Sequence, residues 1–254
     1  MLKKEIHIFF TALMFFTRIP CPKWVNHDTT YLRLSSKYFP LVGSIVGGIG
    51  GLVFYSTQFL FPIEIAILLS MCSTVYATGA FHEDGFADVC DGFGGGWTKE
   101  KILLIMKDSR LGTYGTLGIV LLLGLKFSAL SNLDPMKIPF LLIAGHSCSR
   151  FIATTLIFTQ PYVRDTDDSK AKPAAKSMSW SMLMISCFWG ILPLLLFRDI
   201  FIFLTLIPMY ISKLFLEFKF KKWIGGQTGD CAGAVQQLSE VVFYLSVIVL
   251  WKYT

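Results

Sequence analysis

The sequence predicts an all-α, polytopic transmembrane helix bundle, and three observations predict it. Of 254 residues, 54% are hydrophobic and only 16% charged, whereas soluble domains carry closer to a quarter charged residues. The mean hydropathy is +0.58. Runs of about 20 apolar residues, the length that crosses a bilayer, recur along the whole chain. They leave little room for a soluble module, so residues 1–254 read as a single membrane domain.

The elements follow in order. Segment 6–19 is apolar but ends at Arg18 and Pro20, too short to span. It reads as a buried, re-entrant or interfacial helix, and without a small-residue cleavage site it does not resemble a removable leader. Seven spans are expected at 38–61, 62–81, 113–133, 138–159, 178–197, 199–218 and 239–253, the last of them short. The first carries Gly43, Gly47, Gly48, Gly50 and Gly51, small residues spaced as in close helix–helix packing. The six cysteines (Cys21, Cys72, Cys90, Cys148, Cys187 and Cys231) are scattered without a C-x-x-C pair. They read as small core residues, not a disulfide framework or zinc site.

The formal charge of +6 is distributed by topology. Eighteen of the Lys and Arg residues precede span one or follow spans two, four and six, against three (Lys137, Arg198 and Lys252) in the alternate connections. The positive-inside rule then puts the N-terminus and those three loops in the cytoplasm. With seven spans the C-terminus lies outside. This basic balance calls for no nucleic-acid partner. Lys219, Lys221 and Lys222, at the end of span six, are placed for lipid headgroups.

The chemistry gathers on the same side. In the run H82-E-D-G-F-A-D-V-C-D-G-F-G-G-G96, Asp84, Asp88 and Asp91 fall at i, i+4 and i+7 of a helix, so their carboxylates share a face. Like charges that close call for a cation, and an oxygen-only ligand set favours Mg²⁺, Mn²⁺ or Ca²⁺ over zinc. The segment K107-D-S-R-L-G-T-Y-G115 offers Lys107 and Arg110 to phosphate oxygens at a helix start. The loop 161–173 mixes Arg164, Lys170 and Lys172 with Asp165, Asp167 and Asp168, and the loop G225-G-Q-T-G-D-C-A-G-A234 carries Asp230, with Glu240 beyond it. His146 and Arg150 lie one helical turn apart inside span four, where ionisable groups line a cavity or satisfy each other. Together these residues describe a site for a polyanionic phosphate substrate bound through a metal, suited to phosphoryl-type transfer from a nucleoside-diphosphate-linked donor.

The segments H82–G92, K107–G115, Y162-V-R164 with S169-K-A-K172, and G225–A234 with Glu240 resemble the cobalamin synthase family, the adenosylcobinamide-GDP ribazoletransferases. The resemblance runs from F15-F-T-R-I-P20 to Glu240, with Phe86 where leucine is usual and Cys90 where alanine is common. It implies a multi-pass enzyme of the prokaryotic plasma membrane that uses Mg²⁺. Such an enzyme joins adenosylcobinamide-GDP to α-ribazole, or to its 5′-phosphate, and releases GMP. Asp84, Asp88 and Asp91 would then hold Mg²⁺ on the diphosphate, one of them taking the proton of the attacking ribose hydroxyl. Arg110 would act with them, and His82, Lys107, His146, Arg150, Arg164, Lys170, Lys172, Asp230 and Glu240 would bind substrate. Membrane lipid is a further partner, and the resemblance leaves room for a homo-oligomer and for association with other cobalamin-assembly enzymes. Two alternatives stand beside it. A CDP-alcohol phosphotransferase shares an aspartate run, but Asp88 and Val89 stand where its D-G-x-x-A-R signature has alanine and arginine. A cation transporter would place its acids near mid-bilayer in broken helices.

Overall fold

The computed structural model describes residues 2–25, 29–164, 174 and 177–253. The expected Lys170 and Lys172, with Asp165, Asp167 and Asp168, lie outside these residues. The regular elements among the described residues are all helices, apart from one parallel backbone bridge between Tyr162 and Gln227. Six helical stretches are long and apolar enough to cross a membrane. A seventh candidate is the pair α4 (Ile63–Thr78) and α5 (Phe81–Gly95), which meet at 88°.

The N-terminal segment forms α1 (Leu2–Phe16), with Ile8, Thr11, Ala12, Leu13 and Phe16 buried along one face. Lys37 and Tyr38 both reach Glu5 of α1, at 2.6 and 2.7 Å, and hold it against the start of the bundle. A short α2 (Thr29–Ser35) leads through a 3-10 turn into α3 (Phe39–Thr57). The glycine stripe of α3 does what its spacing suggests. A Cβ at Gly43 or Gly47 would collide with backbone carbonyls of α8 (Ile138–Thr159), so only glycine permits this approach.

Helices α6 (Lys99–Ile105) and α7 (Thr113–Ser131) follow α5. After α8 come α9 (Trp180–Ile191), extended by a 3-10 segment to Phe197, then α10 (Leu206–Ile224) and α11 (Gly229–Tyr253). The main departure from the sequence expectation is at the C-terminus. The last span does not begin near 239 but at Gly229, so most of the expected glycine-rich loop 225–234 is helix. Its Gly, Ala and Cys residues score weakly as apolar, yet they pack α11 against α5 and α8, and this contact decides the conformation.

The α4–α5 elbow fixes the site. Gly79 and Ala80 both adopt left-handed backbone, at φ +67° and +58°. This stops α4 and redirects the chain, so α5 leaves the line of the span and lies across the end of the bundle.

Candidate active site

Helix α5 carries the aspartate run along the seam between α7 and α11. As the spacing predicts, the three aspartates are helical, but their surroundings differ. Asp84 is exposed, Asp88 half-buried and Asp91 buried. Asp91 turns toward the start of α7, where its two carboxylate oxygens accept the amide N–H groups of Gly112 at 2.7 Å and Gly115 at 2.8 Å. A carboxylate at a helix N-terminus satisfies otherwise orphaned donors, so Asp91 locks α7 onto α5.

Asp230, in the first turn of α11, completes the acidic group. A Cβ at Gly85 would stand 3.0 Å from the Asp230 Cα, so the absent side chain is what lets the two helices cross here. Burial first, then the charges of Asp230 and Asp84, push the Asp88 carboxyl up to about 7. Carboxylates crowded in this way favour a proton or a cation.

Among the described residues, Arg164 is the cation that faces them. Arg164 pairs with Asp230, Nη2 to Oδ2, at 2.7 Å and donates to the Met106 carbonyl at 3.1 Å. Two backbone hydrogen bonds hold it in place, from the Val163 N–H to the Gln227 carbonyl at 3.0 Å and from the Gln227 N–H to the Pro161 carbonyl at 2.9 Å. They tie the segment after α8 to the loop before α11. Four segments distant in sequence therefore meet: α5, the α6 end, residues 161–164 and the start of α11.

The other expected residues separate from this group. Arg110 is 87% exposed and chelates Asp108, with Nη2 to Oδ2 at 2.6 Å, and its hydrogen bonds hold the Asp108 carboxyl down at about 2. Lys107 is exposed on the same turn. His82 is buried and stacks on Phe39, at 5.4 Å and 17°, while Phe39 stacks on Phe16 of α1. It serves as a wall of the bundle beneath the acids.

His146, Arg150 and Glu240, expected to meet substrate, lie inside the bundle at 4%, 1% and 0% exposure. Glu240 of α11 accepts from Lys126 of α7 at 2.5 Å, Gln236 at 2.7 Å and Tyr244 at 3.2 Å, and it lies 3.2 Å from His146 Nδ1 of α8. Arg150 Nη1 donates to the His146 carbonyl at 2.9 Å. No sequence motif singles out Lys126. Its signal was the cost of a bare ammonium in hydrocarbon, which requires a buried acid nearby.

The acidic group contains only oxygen donors. Among the described residues, no three His, Cys, Asp or Glu side chains converge tightly enough to hold a metal by themselves. Such an open, oxygen-only set fits a cation whose coordination is completed by substrate phosphates, which is how Mg²⁺ is commonly held.

Comparison with known proteins decides the family. The family model for cobalamin-5-phosphate synthase matches residues 8–249. The chain belongs to the cobalamin-5-phosphate synthase family. It is 48% identical over 248 residues to the adenosylcobinamide-GDP ribazoletransferase of Shewanella frigidimarina, covering 96% of this chain and 95% of the relative. It is 45% identical to the protein of that name from Shewanella amazonensis, with 98% of both chains covered. A third, from Shewanella oneidensis, is 45% identical over 97% of this chain and 95% of its own. No solved structure matches. Membership of the cobalamin-5-phosphate synthase family decides against the CDP-alcohol phosphotransferase and transporter readings.

Proposed function

We propose that this chain joins adenosylcobinamide-GDP to α-ribazole, or to its 5′-phosphate, releasing GMP, and that the reaction occurs where α5 meets α11. Family membership supports the reaction. The observation that carries the placement is the meeting of Asp84, Asp88 and Asp230 with Arg164, brought from three segments to one end of the bundle. A ribose hydroxyl attacks the phosphorus on the aminopropanol arm of the cobinamide. The P–O bond to GMP breaks, and a carboxylate of the acidic group takes the hydroxyl proton. Arg164 is placed to hold a phosphate oxygen in exchange for Asp230, because a guanidinium pairs with phosphate as readily as with carboxylate.

Asp84 and Asp88, with Asp230 beside them, are the residues that would hold Mg²⁺. Bound there, the ion would neutralise the diphosphate charge of the donor. Asp91 supports this group by fixing α7, although its oxygens are already engaged by two amides. The acid-bearing end is the cytoplasmic one, with the N-terminus on the same side, by the eighteen-to-three bias of basic residues. The membrane is the prokaryotic plasma membrane. The test is direct: membranes containing this protein should release GMP from adenosylcobinamide-GDP only when α-ribazole and Mg²⁺ are both supplied. Release without α-ribazole would make the protein a hydrolase and overturn the reading.

A further inference from the structure

A groove of about 680 Å³ runs along the seam between α4 and α7 to the α4–α5 elbow. Its walls are apolar and include Leu68, Cys72 and Tyr76 of α4 and Gly124 and Phe127 of α7. Leu68 and Tyr76 are 47% and 76% exposed, so the groove opens sideways, where the surroundings of a spanning helix are hydrocarbon. Water would find almost no polar partners on these walls. A hydrocarbon chain is the natural occupant.

The acid-bearing end of the groove is different. Arg18 closes it, exposed and with no hydrogen bond or ion pair from its guanidinium to any other described residue. Its position is fixed by its own backbone N–H, which donates to the Ala77 carbonyl at 2.7 Å. The guanidinium lies across the elbow, since a Cβ on Gly79 would stand 3.0 Å from its Cζ. A guanidinium without a partner at the headgroup level of an apolar groove matches one ligand chemistry: a phosphate monoanion attached to an acyl chain.

We propose that the α4–α7 groove binds one anionic phospholipid, its acyl chain along Leu68, Cys72 and Gly124 and its phosphate on Arg18. A zwitterionic lipid offers the same chain and phosphate but adds a cation close to Arg18, so the site discriminates by net charge. The lipid phosphate bears on the elbow between α4 and α5, and so supports the helix that carries Asp84 and Asp88. Neither Arg18 nor the groove takes part in the proposed chemistry, so the site stands or falls separately from the reaction.

The test uses the purified full-length protein, stripped of lipid in detergent and offered equal amounts of phosphatidylglycerol and phosphatidylcholine. Retained lipid is counted by native mass spectrometry. The wild type should retain a single phosphatidylglycerol over phosphatidylcholine by roughly fivefold, the scale of one basic side chain at an anionic surface. Arg18→Ala should remove that preference. Gly124→Phe should remove retention of both lipids, because a side chain there enters the groove and meets no protein atom within 4 Å of its Cβ. It should keep the wild-type thermal midpoint, which separates a filled groove from a misfolded chain. Equal retention of the two lipids by the wild type, an unchanged preference in Arg18→Ala, or undiminished retention in Gly124→Phe would each overturn the site. So would loss of GMP release in lipid-free Arg18→Ala with lipid preference intact, which would assign Arg18 to the substrate.

Discussion

Two groups of charged residues lie a few helical turns apart, and the comparison between them separates binding from scaffolding. Inside the bundle, Lys126, Glu240, His146 and Arg150 come from three helices, and Glu240 meets Lys126, Gln236, Tyr244 and His146, although His146 Nε2 and Arg150 Nε find no hydrogen bond among the described residues. At the end of the bundle, Asp84, Asp88 and Asp230 are of one sign and, among the described residues, face one cation, Arg164. The residue types are alike, but the balance of charge is not. The interior group has one carboxylate, already paired with a lysine, and so no acid to spare for a cation. An excess of carboxylates around one arginine has capacity for a cation and an anionic substrate together.

Predictions follow from that difference. Asp84→Asn or Asp88→Asn should lower GMP release on the order of 10³-fold, the upper scale for removing one catalytic electrostatic group, while the protein stays folded and inserted. Arg164→Ala should cost about 10²-fold. Arg110→Ala should cost less than roughly fivefold, because an exposed, solvent-screened ion pair such as Arg110–Asp108 contributes little. Kinetics on the four variants orders them, and Arg110→Ala falling below Arg164→Ala would move phosphate binding to the α6–α7 turn.

Much of this arrangement was legible in the residues. The stripe Gly43–Gly47 announced the α3–α8 crossing, and the i, i+4, i+7 aspartates announced a helix, because both are local periodic signals. The start of α11 was hidden, since Gly229, Ala232, Gly233 and Ala234 become helical only by packing on α5 and α8. The destination of Asp91 was hidden for a related reason. Its partners, the Gly112 and Gly115 amides, are backbone groups that no motif displays. Arg110 looked like a phosphate ligand by type, yet it lies two residues from an acid that folds back on it. His146, Arg150 and Glu240 looked like site residues because ionisable groups in a span are costly, and the sequence does not say whether a ligand or a neighbour meets that cost.

The most direct measurement compares Asp88→Asn with Glu240→Gln, recording for each the thermal midpoint and the GMP released per folded molecule. Asp88→Asn should keep its midpoint and lose release. Glu240→Gln leaves Lys126 buried without its anion, so it should lose about 3–5 kcal/mol of stability and keep release per folded molecule within roughly tenfold of wild type. Its release should remain far above that of Asp88→Asn, which stands lower by the scale of a removed catalytic group. The opposite pattern, a silent folded Glu240→Gln beside an active Asp88→Asn, would place the chemistry in the bundle interior and contradict the division between the two groups.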